Sequence, residues 1–139
     1  MNTAAEAFVK KVITIFETED YARLDEIIGD SITFYTPRFL KPHTDRLMVI
    51  LILQGIPRVI DNFHYERSWA TGGDAIMEFK GKVGRWDVHG IDVFSLGEDG
   101  RAKELTVFVR PPKGLEALGE REDKMFSDAL SSGETQAFS

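Results

Sequence analysis

The chain has 139 residues, with 17 Lys plus Arg against 23 Asp plus Glu, a net charge of −6 and a pI near 5.1. That is the length of one domain, and a 42% apolar fraction with 10 Phe, 3 Tyr and 2 Trp supplies a core, which argues against disorder. Zero cysteines exclude disulfides, thiolate metal sites and Cys nucleophiles, and a net negative chain with no Lys/Arg run beyond two residues argues against nucleic acid as a partner.

The first sixteen residues carry Lys10 and Lys11 and no apolar signal core, and the longest apolar run, Leu47 to Leu53, has seven residues, too few to span a bilayer. The expectation is a soluble, cytoplasmic chain with no membrane partner, one domain over residues 1–130 and a frayed tail over 131–139.

Phe8, Val9, Val12, Ile13 and Phe16 recur at helical spacing behind Thr3, with Glu6 as a capping-box partner. A short second helix fits Tyr21, Leu24, Ile27 and Ile28, capped by Asp20 and ended by Gly29. Ile32 to Thr36 reads as a strand stopped by Pro37. The β-branched run Leu47–Leu53 suits a strand, but its lead-in His43-Thr44-Asp45 and terminal Gly55 favour a buried helix. From Asp61 to Arg110, four long runs are separated by Gly72-Gly73-Asp74, Gly84-Arg85 and Gly97-Glu98-Asp99-Gly100, which predicts an antiparallel meander. Leu115, Leu118, Met125, Phe126 and Ala129 then mark a last helix.

This order predicts an α+β fold, a curved antiparallel sheet wrapped around the helices. Trp86 to Leu96 would run roughly 36 Å if straight, so the sheet must bend. Gly81 and Gly90 are the expected bulges or kinks.

Two charges break the apolar pattern. Trp86, Val88, Gly90, Asp92, Phe94 and Leu96 share a strand face on which Asp92 alone is charged, beside the space a missing Gly90 side chain would leave. A carboxyl there either pairs with a neighbour or is held neutral, and an acid facing open apolar volume can act as general acid, general base or oxyanion donor. Phe63, Tyr65, Arg67 and Trp69 share another face two strands away, about 9.6 Å, so Arg67 either pairs with Asp92 or stacks on Tyr65 or Trp69. His43, His64 and His89 match no metal-ligand spacing, and neither phosphate loop nor nucleophile motif is visible. Ile91 and Val93 with Thr106 and Phe108 form an apolar patch on the opposite sheet face, which a two-fold homodimer or the last helix would cover.

The segment Gly90-Ile91-Asp92-Val93-Phe94-Ser95-Leu96-Gly97-Glu98-Asp99-Gly100-Arg101, with Glu104-Leu105 to Arg110-Pro111 and the element order from Ala5 to Leu118, resembles the nuclear transport factor 2-like and ketosteroid isomerase-like superfamily, most of all its polyketide-cyclase-like (SnoaL-like) bacterial branch. The resemblance implies a cone-shaped, cystatin-like α+β barrel with a deep apolar pocket and commonly a dimer. Asp92 matches the acid that in ketosteroid isomerase stays neutral and donates to a developing oxyanion. Thr36 stands where that enzyme's base is expected and Val12 near its helix tyrosine, while the Asp-Arg-Asp set of limonene epoxide hydrolase is not evident.

The expected function is binding of a small, largely apolar, carbonyl-bearing molecule among Phe8, Val12, Phe16, Thr36, Tyr65, Met77, Phe79, Trp86 and Phe94, with Asp92 and Arg67 as polar contacts. Any chemistry would be cofactor-free, metal-free proton transfer beside a carbonyl, in an isomerase, cyclase or dehydratase, with Asp92 as acid or base. The alternative is a non-catalytic dimeric interaction module that keeps the fold.

Overall fold

The computed structural model describes residues 3–131, so the expected tail, apart from Ser131, lies outside the described residues. Helix α1 spans Ala4–Glu17, and Thr3 caps it by accepting the Glu6 N–H at 3.1 Å. Its buried stripe is Ala5, Phe8, Val9, Val12 and Ile15.

The expected second helix is a 3₁₀ helix, Tyr21–Glu26, and Asp20 makes no side-chain cap. Strand β1, Ile28–Tyr35, starts four residues before the expected Ile32. Gly29 therefore belongs to the strand. A Cβ there would stand 2.8 Å from the Ala102 carbonyl oxygen, so close strand packing explains the glycine, not a helix stop.

Helix α2 covers Arg46–Val59, with Asp45 accepting the Met48 N–H at 3.3 Å. It runs through Gly55 and Pro57 instead of ending at the glycine. A Cβ on Gly55 would lie 2.6 Å from the Met125 methyl, so this glycine admits a neighbouring helix.

Strands β2 (Asp61–Thr71), β3 (Asp74–Val83), β4 (Trp86–Leu96) and β5 (Ala102–Arg110) form the meander, and helix α3 covers Pro112–Ser131. Gly72 and Gly84 take φ of +57° and +60° in the two-residue turns, a conformation their missing side chains permit. The sheet order is β1-β5-β4-β3-β2, with β1 parallel to β5, so the sheet is curved but unclosed and not wholly antiparallel.

One irregularity falls at an expected glycine: Asn62, at φ +55°, and Phe63 on β2 stand opposite Gly81 alone on β3, where the register shifts between Asp61 and His64. Gly90 instead pairs in regular register with Phe79 and Val109, and the other shifts fall between Ile28 and Thr33, between Tyr65 and Ser68, and between Ser95 and Leu96. The space beside Gly90 is filled, because a Cβ there would meet the Phe108 carbonyl and the Phe79 ring.

The helices cover the concave face in two apolar clusters. One joins α1, α2, β1 and the strand ends through residues such as Phe8, Ile15, Phe34, Ile52 and Phe94. The other joins α3 to the opposite end through Ile60, Phe79, Val88 and Leu118. Tyr65 and Val107 pack against both, and the site lies at this seam. No described helix is long and apolar enough to cross a membrane.

Candidate functional site

Regular alternation in β4 turns Val88, Gly90, Asp92, Phe94 and Leu96 inward. Asp92 is 8% exposed and lies between Met77 on β3 and Val107 on β5. Its partner comes from one strand further away: the Tyr65 hydroxyl on β2 donates to Asp92 Oδ2 at 2.8 Å. The Tyr65 ring is fixed edge-on by Phe16 (5.5 Å, 90°) and Phe63 (5.2 Å, 83°), and Phe63 stacks on Phe79 at 5.2 Å.

Burial pushes the Asp92 carboxyl up to about 7, against the Tyr65 hydrogen bond, which favours the charged form. Burial and then the Asp92 charge push the Tyr65 phenol well above its ordinary value, so the proton between them stays on Tyr65. Asp92 thus changes charge near neutral pH. Below that point its second oxygen can donate a hydrogen bond, and above it the carboxylate can accept a proton.

Asp92 faces a cavity of about 50 Å³, room for a few waters, walled by Phe16, Phe63, Tyr65 and Phe79 and closed by Ile60 and Leu118. A wider cleft of about 370 Å³ adjoins it, since Thr36, Ile52 and Glu122 line both. The bridge of Phe34 with His43 through two backbone hydrogen bonds, 2.9 and 2.8 Å, folds the intervening loop over this entrance. That loop carries Arg38 and Phe39, with the guanidinium 4.9 Å over the ring.

Arg38 grips Asp123 through two hydrogen bonds, 3.2 and 3.1 Å, and stands 3.8 Å from Glu122. Burial lifts the Glu122 carboxyl above its ordinary range, with the Arg38 charge opposing and the Asp123 charge adding. Among the described residues no three His, Cys, Asp or Glu side chains cluster in a way that could hold a metal.

Of the residues expected at the site, Asp92, Tyr65, Phe79, Phe16 and Thr36 line this cavity. Phe8, Val12, Met77 and Phe94 lie in the closed core instead, where Phe8 packs edge-on against Phe94 at 4.8 Å. Trp86 stands at the β3–β4 hairpin, half-buried outside the cavity under the Arg85 guanidinium. Arg67 does not meet Asp92. The extra residue between Tyr65 and Ser68 turns it to the outer face, where it holds Glu78 at 2.7 and 2.8 Å and lies 5.1 Å over Trp69.

Glu122, Ile52 and Phe63 are at the site without having been expected there. Signals for two of them are readable: Glu122 follows Leu118 by four and precedes Met125 by three, which puts a carboxylate on the apolar stripe, and Phe63 alternates with Tyr65.

No protein-family model and no curated protein matches the chain. Solved structures do. A steroid delta-isomerase from Pseudomonas aeruginosa is 28% identical over 94% of this chain and 97% of its own, with a TM-score of 0.88. A bacterial protein with a cystatin-like fold from Silicibacter pomeroyi DSS-3 is 26% identical over 95% and 94%, with a TM-score of 0.80. An epoxide hydrolase from M. tuberculosis, similar to limonene epoxide hydrolase, shares the fold at 15% identity over 90% and 96%, with a TM-score of 0.60.

Proposed function

From its place in the nuclear transport factor 2-like and ketosteroid isomerase-like superfamily, we propose that this chain binds a small, mostly apolar carbonyl compound and moves a proton beside that carbonyl without a cofactor. The observation that carries this reading is Asp92, an acid poised near pH 7 against an apolar cavity, with one oxygen held by Tyr65. The neutral acid donates to the carbonyl oxygen and stabilises negative charge that develops there. The likeness to a steroid delta-isomerase supports proton transfer as the chemistry. The isomerase base position is held by Thr36, and the space near Val12 is closed core, so a steroid is not assigned as substrate.

Binding of 4-nitrophenol, whose oxyanion mimics an enolate, tests this reading by absorbance. The wild-type protein should bind it at pH 6, and Asp92→Ala, which removes the donor, should weaken binding at least tenfold. Equal affinity would remove Asp92 from the site.

A second reading rests on the outer sheet face, where Phe108 is 56% and Trp69 48% exposed beside Ile91, Val93 and Thr106. Helix α3 packs on the concave side and leaves Phe108 open, so a second copy of the chain is the occupant that would cover this face. Sedimentation should give a dimer that Phe108→Glu converts to monomer. A wild-type monomer would end this reading.

A further inference from the structure

The inner cavity is about 50 Å³ and the cleft outside it about 370 Å³. That inequality orients a ligand. A carbonyl compound that reaches Asp92 enters oxygen first, so its C=O fills the inner chamber and the carbon beside the carbonyl lies at the neck. Thr36, Ile52 and Glu122 line both spaces and therefore form that neck. Ile52 has no polar group, and the Thr36 hydroxyl cannot take a proton from carbon unaided. Glu122 reaches the neck from α3 with its side chain 14% exposed. Arg38 spends its two close hydrogen bonds on Asp123 and stays 3.8 Å from Glu122, which leaves the Glu122 carboxylate free of a tight pair.

Resting on the reading of Asp92 above, we propose that Glu122 is a second catalytic residue, the base that removes and returns the proton on the carbon beside the carbonyl. In this step the C–H bond breaks and its proton passes to a Glu122 oxygen. The bonding pair becomes the C=C of the enolate, and the carbonyl π pair moves to the oxygen that Asp92 hydrogen-bonds. Return of the proton from Glu122, to the same carbon or to one conjugated with it, restores the carbonyl. Nothing is oxidised and no co-reactant is consumed.

The charges that face Glu122 fit this division of labour. Arg38 and His43 lie on the loop across the cleft, Asp123 on its own helix, and Asp92 with Tyr65 on the inner side. Activity should rise with pH as Glu122 ionises and fall as Asp92 does, which gives a bell whose alkaline limb lies near 7.

The test is proton NMR of deuterium uptake from D₂O into cyclopentanone, cyclohexanone and 2-decalone, alongside 4-nitrophenol binding. Wild type should catalyse exchange of at least one ketone. Glu122→Gln should lose at least about 100-fold of that rate while its 4-nitrophenol affinity stays within threefold or improves, and Glu122→Asp should recover part of the rate. Retained exchange in Glu122→Gln overturns the proposal. So does a wild type that binds 4-nitrophenol yet exchanges none of the ketones, which leaves the Asp92 reading standing. A wild type that binds no 4-nitrophenol removes the Asp92 reading, and this one with it.

Discussion

The Tyr65 hydroxyl on β2 reaches across β3 to donate to Asp92 Oδ2 on β4, at 2.8 Å, in a cavity walled by apolar groups except for Thr36 and Glu122 at its neck. The bond stabilises the ionised acid while burial opposes it, and burial dominates. Tyr65→Phe should therefore move the Asp92 midpoint above its value of about 7, read by ¹³C NMR of the labelled carboxyl. A midpoint that falls would mean that the hydroxyl does not favour the charged form.

The same acid sets a pH dependence of stability. Its pKa of about 7 in the folded chain lies above the ordinary value of 3.8, so the folded state binds the extra proton between these limits. Stability contributed by this proton is present below about pH 4 and is lost as pH rises through about 7. A difference of this size corresponds to about 4 kcal/mol, at about 1.4 kcal/mol per pH unit. Asp92→Asn, which keeps an oxygen to accept from Tyr65, should be more stable than wild type at pH 8 and lose that advantage at pH 4. Urea denaturation at both pH values checks this, and a constant difference would place the burial cost elsewhere.

How far the sequence exposes the site depends on where the strands stay regular. Asp92 is readable because β4 alternates without interruption from Trp86 to Ser95 against β3, so phase alone turns it inward. Arg67 is not, because the extra residue between Tyr65 and Ser68 reverses its face, and no glycine or proline marks that bulge. Gly55 mimics a helix end because tertiary packing on Met125 and a stop signal call for the same residue. The turns that define the meander are local chemistry and read directly. Phe8, Val12, Met77 and Phe94 show the opposite limit: apolar phase identifies a concave face, but not which part of it is filled and which is open.

On the outer face, Glu78 is buried between two donors, with Arg67 at 2.7 and 2.8 Å and His89 at 2.8 Å. The Arg67 bonds first, then that of His89, hold its carboxyl down at about 2. Stability from this lowered pKa is present above about 4.5 and is lost as pH falls toward 2. Arg67→Met should lower the Tm at pH 6, and thermal melts should show the gap to wild type closing as pH approaches 2. A gap that widens in acid would contradict the assignment.

Gly90 and Phe79 face each other across β4 and β3, and the ring occupies the space a side chain at position 90 would need. An alanine Cβ would lie 2.5 Å from Phe79 Cζ and would also meet the Phe108 carbonyl. Gly90→Ala should cost about 1–3 kcal/mol by overpacking and drive the ring into the cavity, which reduces 4-nitrophenol binding. Phe79→Leu removes the ring atoms in conflict, so the double variant should lose less stability than the two single variants added together. It should not recover fully, since the conflict with the Phe108 carbonyl remains. Urea denaturation of the four proteins gives the coupling, and strict additivity would show that the ring is not what keeps position 90 a glycine.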